Sequence, residues 1–212
     1  MKYITIMTVL ATVFATSAGA TDWLWQVTTN PADDNWASFS PDGSTIAFSS
    51  DRSGNPDIWT IPAMGGTCTQ ITTDEGVDRC PCWSPDGTTI AFYSNRSGNV
   101  DIWTVPATGG TCTQITTDPS HDYCPSWSPD GSTIAFHSYR SGNGDIWTIP
   151  ANGGSSTQIT TNPARDRSPS WSPDGTEIAF ESDRSGNWDI WAIPIAGGST
   201  TQITTNVADD YD

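Results

Sequence analysis

Five aspartates recur at one position of a 44-residue repeat and form the first group of residues able to do chemistry together. In a ring of repeats, equivalent loops would gather them around a central channel. Carboxylates collected in this way suit a hard cation such as Ca²⁺, or a cationic peptide. The alternative is that each Asp accepts hydrogen bonds from backbone N–H groups of its own turn, which its local context favours. The five residues are Asp34, Asp78, Asp122, Asp166 and Asp210.

Five cysteines form a second group. Cys68 and Cys112 occupy equivalent repeat positions, as do Cys80 and Cys124. In an exported protein they favour disulfide bonds. One interpretation duplicates a single bridge with the repeat, as Cys68–Cys80 and Cys112–Cys124. Bonds between neighbouring units are equally allowed, because connectivity cannot be read from sequence. Cys82 has no counterpart in the other units and is the leftover thiol.

Positions that differ between the repeats indicate a third candidate, a ligand-binding face. Variation concentrates in the loop between units and in the hairpin that follows Ile-Ala-Phe. Antiparallel alternation places both on one face of the molecule, whereas the Ser-Pro-Asp-Gly and Gly-Gly turns of the opposite face are nearly constant. Ligand binding and neutral drift at exposed positions explain this pattern equally well. The candidate face carries Tyr93, Tyr123, His137, Tyr139, Arg165, Arg167 and Trp188.

Catalytic motifs are missing from the sequence. It contains no Gly-x-Ser-x-Gly elbow, Walker loop, zinc-ligand spacing or His-Glu-x-x-His. The two histidines, His121 and His137, recur at no equivalent position of the other repeats, which is more typical of surface substitution than of a metal site. We therefore expect neither an enzyme nor a cofactor, with Ca²⁺ at the aspartates as the alternative.

Composition and the amino terminus exclude several classes of protein. Residues 1–20 predict a secretory signal peptide, with an apolar stretch at Ile4–Phe14 that is too short to span a membrane. Lys2 is the chain's only lysine, so the mature protein has none and is more acidic than the −16 of the full sequence. This excludes nucleic-acid binding through a basic face and charge-driven adhesion to anionic lipid. No other long apolar run predicts an integral membrane protein. We expect a periplasmic, secreted or cell-surface protein.

Short strands must position these groups. Ser-Pro-Asp-Gly, Ile-Ala-Phe, Arg-Ser-Gly-Asn, Asp-Ile-Trp and Thr-Gln-Ile-Thr follow one another in each repeat. Ser-Pro-Asp-Gly suits a type I turn, and the Gly of Arg-Ser-Gly-Asn can supply a left-handed hairpin residue. In the third strand, Ile58 and Thr60 point one way while Trp59 and Ile61 point the other. Each unit therefore predicts four antiparallel strands that are covered on both faces.

Four-stranded units of this length, stacked face to face, predict an all-β fold, a β-propeller. The four full repeats run approximately over 34–77, 78–121, 122–165 and 166–209, in a domain of residues 21–212. A partial unit, Gln26-Val27-Thr28, precedes them, and Ala208–Asp212 begin another. Three alternatives stay open: a chain cut short, a partial propeller that closes by self-association, and a closed four-bladed ring.

The repeat also resembles a known one. The run W-S-P-D-G-x-x-I-A-F-x-S-x-R-x-G-x-x-D-I-W is similar to the WD40-like (PD40) repeat of TolB-like propellers. It matches at Trp83–Trp103, Trp127–Trp147 and Trp171–Trp191, and Phe39 replaces the Trp in the first unit. The resemblance implies an exported propeller, which we expect to be a non-enzymatic protein-interaction scaffold in the cell envelope. The alternatives are a carbohydrate-binding, lectin-like propeller and the propeller part of a larger envelope enzyme.

Overall fold

The computed structural model describes residues 26–210, so the predicted signal peptide lies outside the described part. Within it, sixteen strands and no helix form four antiparallel four-stranded sheets, which confirms the predicted all-β propeller architecture. We find no helical segment in residues 26–210 with the length and apolarity of a membrane span.

The first sheet contains β1 (Asp34–Phe39), β2 (Thr45–Ser50), β3 (Asp57–Pro62) and β4 (Thr69–Gln70), and the second contains β5 (Asp78–Trp83), β6 (Thr89–Ser94), β7 (Asp101–Pro106) and β8 (Thr113–Gln114). The third contains β9 (Asp122–Trp127), β10 (Thr133–Ser138), β11 (Asp145–Pro150) and β12 (Thr157–Gln158), and the fourth contains β13 (Asp166–Trp171), β14 (Glu177–Ser182), β15 (Asp189–Pro194) and β16 (Thr201–Gln202).

The Ser-Pro-Asp-Gly turn between the first two strands of each sheet forms as predicted. In the first sheet, the Gly43 N–H donates to the Ser40 carbonyl at 2.8 Å, and Gly43 has a φ of 70°. The Asp42 carboxylate accepts hydrogen bonds from Ser40 Oγ at 2.6 Å and from the Ser44 N–H at 3.0 Å. These bonds, led by the one from Ser40, lower the pKa of Asp42 to about 2. The aspartate therefore holds its own turn together, and the turn fixes the register of the hairpin.

The core lies between consecutive sheets. Ala47, Ile58 and Ile71 of the first sheet pack against Ile90 and Phe92 of the second. The predicted alternation is correct, because Ile58 faces the second sheet while Trp59 and Ile61 lie in the cluster on the other side. Each later sheet repeats this contact with the one before it. The apolar faces of neighbouring sheets thus bury one another, which holds the stack together.

A hydrogen bond accompanies each of these contacts. The indole N–H of Trp83 donates to the Ser38 carbonyl of the preceding sheet at 3.1 Å, and that of Trp127 donates to the Cys82 carbonyl at 3.2 Å. Trp171 makes the same bond. Phe39, which replaces this Trp in the first unit, has no side-chain N–H to donate. The tryptophan of the repeat therefore links neighbouring sheets by a hydrogen bond and also contributes apolar surface to the core.

The two outermost faces differ from the inner ones. Val27 packs against the cluster that contains Phe48, as Ile71 does against the cluster of the second sheet. The partial unit around Val27 therefore takes the place of a preceding fourth strand. At the other end Ile203 is 58% exposed, whereas the equivalent Ile71 and Ile115 are 5% exposed. The described residues leave the face around Ile203 uncovered, so they do not form the closed four-bladed ring that was one alternative.

Candidate functional site

The loops between units and the hairpins after the second strands lie against each other, as predicted. Asn55, in the first such hairpin, donates from Nδ2 to the Gly76 carbonyl at 2.6 Å and to the Asp74 carbonyl at 3.0 Å. The Val77 N–H in turn donates to Asn95 Oδ1 of the next hairpin at 2.8 Å. Each loop is therefore fastened to the hairpins of two adjacent units. We call the surface formed by loops 74–79, 118–123 and 162–167 and these hairpins the hairpin face.

Four of the predicted binding residues form one group on the hairpin face, here the aromatic cluster: Tyr93, Tyr123, His137 and Tyr139. The Tyr123 ring stacks on the His137 ring with centroids 5.2 Å apart, and Tyr93 meets Tyr123 edge-on, also at 5.2 Å. Tyr139 contacts the edge of Tyr123 at 6.2 Å and is 45% exposed. Burial raises the pKa of Tyr93 to about 12, so its hydroxyl stays protonated at neutral pH. The cluster offers solvent an aromatic surface with polar edges.

The other three predicted residues form a second group, here the Arg–Trp cluster: Arg165, Arg167 and Trp188. The Cζ atom of Arg167 lies 3.8 Å from the centroid of the Trp188 ring, and that of Arg165 lies 4.9 Å from it. Arg167 donates from Nε to Glu181 Oε2 at 2.6 Å, and Arg165 pairs with Asp183 at 2.8 Å. Two guanidinium groups thus lie over the Trp188 ring, an arrangement favoured by cation–π attraction.

Both clusters contain residues from one structural position. Near the hairpin end of every sheet, a residue of the first strand faces a residue of the second, and the identities change from sheet to sheet. This position is followed by a bulge in the first strand, which re-aims the side chains there. The scaffold is therefore constant while the chemistry that it presents varies. The four facing pairs are Asn35–Ser49, Arg79–Tyr93, Tyr123–His137 and Arg167–Glu181.

Two residues of this region were missed by the sequence analysis. The guanidinium of Arg79 lies 5.2 Å from the ring centroid of Trp36, which is 45% exposed. Both line a shallow groove between the first and second sheets, together with the buried Ser49. Arg79 could have been found, since it shares the repeat position of Tyr123 and Arg167. Trp36 falls at a position where the other units carry Cys or Ser, and that difference was its only signal.

The predicted ring of carboxylates for a cation is not what the structure shows. Asp122 is fully buried and pairs with Arg140 of its own unit at 2.7 Å. A buried carboxylate needs such a partner, because desolvation of an unpaired charge is costly. No group of three or more metal-ligating side chains is found within residues 26–210. Asp34, Asp78 and Asp166 make the same pair with Arg52, Arg96 and Arg184, and Asp210 instead accepts from Asn206.

The aspartate of Asp-Ile-Trp has different partners. Arg52 does not pair with Asp57 across the hairpin, because its guanidinium is bound to Asp34. Asp57 accepts hydrogen bonds from the hydroxyl of Ser53 and from Gln70 Nε2. Burial, the largest influence, raises the pKa of Asp57 above the ordinary carboxyl value. The hydrogen bonds of Asp34 and Asp57 therefore stabilise the strands and hairpin of their own unit.

The cysteines lie in two kinds of surroundings. The thiol of Cys68 lies beside Arg52, and that of Cys112 beside Arg96. The Cys124 thiol is instead hydrogen-bonded to Cys80 of the preceding unit. The structure thus brings together one pair from neighbouring units, in line with the alternative that the sequence left open, and the pairing Cys68–Cys80 and Cys112–Cys124 stays a prediction.

Comparison with known proteins agrees with this architecture. The family model described as the TolB beta propeller domain matches residues 118–211, and that of the Tricorn protease N-terminal beta propeller domain matches residues 56–143. The Tol-Pal system protein TolB of Bordetella pertussis is 39% identical over 57 residues, which are 27% of this chain and 13% of that protein.

Solved structures extend the likeness to most of the chain. A protein described as TolB from Agrobacterium tumefaciens is 28% identical with a TM-score of 0.78, over 87% of this chain and 66% of its own. TolB from Acinetobacter baumannii is 25% identical with a TM-score of 0.75, over 87% of this chain and 46% of its own. Enzymes such as oligogalacturonate lyase, at 16% identity, share the fold alone. The chain thus spans only part of the length of the relatives that it matches.

Proposed function

Because this chain is a TolB-like β-propeller repeat protein, we propose that it acts as a non-enzymatic protein-interaction scaffold in the cell envelope. The observation that carries the proposal is the hairpin face. There the aromatic cluster and the Arg–Trp cluster stand at positions that the scaffold leaves free to vary. The proposal requires no cofactor.

The chemistry of the hairpin face is that of a protein-binding surface. Tyr, Trp and Arg are enriched at interfaces and at the residues that dominate binding energy. Tyr139 is 45% exposed and the Arg165 side chain is 59% exposed, so both can reach a partner. Their neighbours are held in place by stacking and ion pairs, which reduces the conformational entropy lost on binding. A rigid aromatic surface with ion-paired arginines at its edge would accept a partner that offers apolar groups and hydrogen-bond acceptors.

The relatives suggest where such a partner is found. The similar TolB proteins are described as part of a Tol-Pal system. We carry this over as a proposal: the chain is exported and binds a protein of the envelope, and the Pal component of such a system is the first candidate. Self-association through the uncovered face around Ile203 is a further proposal of the same kind.

A lectin is the second candidate, and the geometry favours it less. Sugar rings stack on open aromatic faces. Here one face of Tyr123 is covered by His137, and Trp188 is held by Arg167 and Arg165. A glycan could therefore stack only on the ring faces that these contacts leave uncovered. An enzyme that uses the propeller as one of its parts is supported by no catalytic group on the hairpin face.

Substitution of Trp188 by alanine tests the proposal. We expect Trp188→Ala to weaken binding of the mature chain to the purified Pal component by about 2 kcal/mol, roughly thirtyfold. The reason is that both arginines lose the ring that orients them. Isothermal titration calorimetry measures the change, and a glycan array tests the second candidate in parallel.

Met64→Ala is the matched control, since Met64 is 82% exposed in a loop of the opposite, nearly constant face. It should leave the affinity unchanged. Equal affinities of wild type and Trp188→Ala for Pal, or no binding of Pal at all, would overturn the proposal. Glycan binding that disappears in Trp188→Ala would replace it with the lectin.

A further inference from the structure

Two cysteines from neighbouring units meet beside the aromatic cluster. Cys80 lies in β5 and Cys124 in β9, and these two strands pack against each other. The Cys124 thiol is hydrogen-bonded to Cys80 and also to His137. Both residues are partly exposed. The two thiols therefore lie within hydrogen-bonding reach of each other, at the interface of two packed strands.

The backbone at both positions has an unusual conformation. Cys80 has a φ of 55° and Cys124 a φ of 48°, in the left-handed region that favours glycine. The register shift in each strand falls at these residues. Residues held in this region cost free energy and cluster at functional sites. The same bulge in the other two units carries Trp36 and Ser168, so only the second and third units can present thiols to each other.

The surroundings lower the pKa of the Cys124 thiol. Its pKa is lowered by the hydrogen bond with Cys80 first and then by His137, while burial and Glu181 act in the opposite direction. A lowered pKa increases the thiolate fraction at neutral pH, and the thiolate is the nucleophile in disulfide exchange. By contrast, burial raises the pKa of the Cys82 and Cys112 thiols. The Cys124 thiol thus differs from the Cys82 and Cys112 thiols in the direction of its pKa shift.

We propose that Cys80 and Cys124 form a thiol–disulfide exchange site that is oxidised by small-molecule disulfides and cross-links the second and third blades. The Cys124 thiolate attacks one sulfur of a disulfide R–S–S–R, forms a mixed disulfide and releases one thiolate RS⁻. Cys80 then loses its proton to solvent and attacks the Cys124 sulfur, which forms the Cys80–Cys124 bond and releases the second RS⁻. The two protein thiols are oxidised, and R–S–S–R is reduced to two thiols.

Oxidised glutathione tests this site on the full mature chain after reduction and removal of the reductant. A variant with Cys68, Cys82 and Cys112 replaced by serine keeps only the proposed pair. It should lose the mass of two hydrogen atoms and retain no glutathione, as measured by intact-mass spectrometry. Adding Cys80→Ser to this variant should instead leave one glutathione attached, because Cys124 can start the exchange but has no partner to complete it.

The reverse variant supplies the control. A chain that keeps Cys68 and Cys112 but carries Cys80→Ser, Cys82→Ser and Cys124→Ser has two thiols at equivalent repeat positions, each beside an arginine. It should form no internal bond under the same conditions. Tryptophan fluorescence confirms that each variant is folded. The proposal is overturned if the folded variant that keeps Cys80 and Cys124 stays fully reduced, or if it accumulates two glutathione adducts without an internal bond.

Discussion

Replacement of Arg140 by leucine is expected to lower the free energy of unfolding by about 3–5 kcal/mol. Arg140 pairs with Asp122, whose side chain is fully buried, and its guanidinium also lies over the rings of Phe136 and Trp147. Loss of the arginine leaves a buried carboxylate without its counter-charge. Burial already raises the pKa of Asp122, and loss of the nearby positive charge would raise it further.

Urea denaturation of the mature chain, followed by tryptophan fluorescence, measures this effect. Arg165→Leu is the matched control, because Arg165 also pairs with an aspartate, Asp183, but its side chain is 59% exposed. Removal of that exposed pair should cost about 0–1 kcal/mol. Equal losses for the two variants would show that the repeated Arg–Asp pair is not buried as described.

The second large effect concerns the contact between sheets. Ile115→Ala should lower the free energy of unfolding by about 2–5 kcal/mol. Ile115 is 5% exposed and packs with Ile102 against Phe136 and Ile149 of the following sheet. Its truncation leaves a cavity at the joint between two blades, in addition to the apolar area lost.

Ile203→Ala is a control at the same position of the repeat. Ile203 is 58% exposed, because no sheet of residues 26–210 covers it. A surface truncation of this kind should change the free energy of unfolding by only about 0.5 kcal/mol or less. If Ile203→Ala were as destabilising as Ile115→Ala, the face around Ile203 would have to be covered in solution, for example by a second copy of the chain.

The fold could be predicted because its determinants are local and repeated. Ser-Pro-Asp-Gly defines its turn through bonds among its own residues, as the contacts of Asp42 show. The alternation of Ile58 and Trp59 then assigns each side of the sheet to a neighbour. Four copies of the same pattern leave little choice except a stack of four-stranded sheets.

The pairing of charges could not be predicted in the same way. Arg52 has acidic residues at both ends of its hairpin, and the sequence does not say which one the guanidinium reaches. The β1–β2 register places Asp34 opposite Ser50, and Arg52 donates to both of these side chains. Asp57 instead accepts hydrogen bonds from the side chains of Ser53 and Gln70. Which aspartate Arg52 binds depends on side-chain geometry, and the repeat pattern of the sequence carries no information about that geometry.

Side-chain contacts on the hairpin face could not be predicted from the sequence either. The repeat shows that Cys80 and Cys124 are equivalent, but only the packing of β5 on β9 shows that they meet. Variation between repeats correctly indicated which residues lie on the hairpin face. It could not show that Tyr123 stacks on His137 while Arg167 lies over the Trp188 ring, since those contacts depend on the bulge and on side-chain packing within each blade.

Hydrogen–deuterium exchange of the mature chain with and without the purified Pal component tests the central claim most directly. If the hairpin face is the interaction surface, amides in loops 74–79, 118–123 and 162–167 should exchange more slowly in the complex. The Ser-Pro-Asp-Gly turns on the opposite face should exchange at the same rate in both samples. Protection confined to those turns, with unchanged exchange across the hairpin face, would contradict the account.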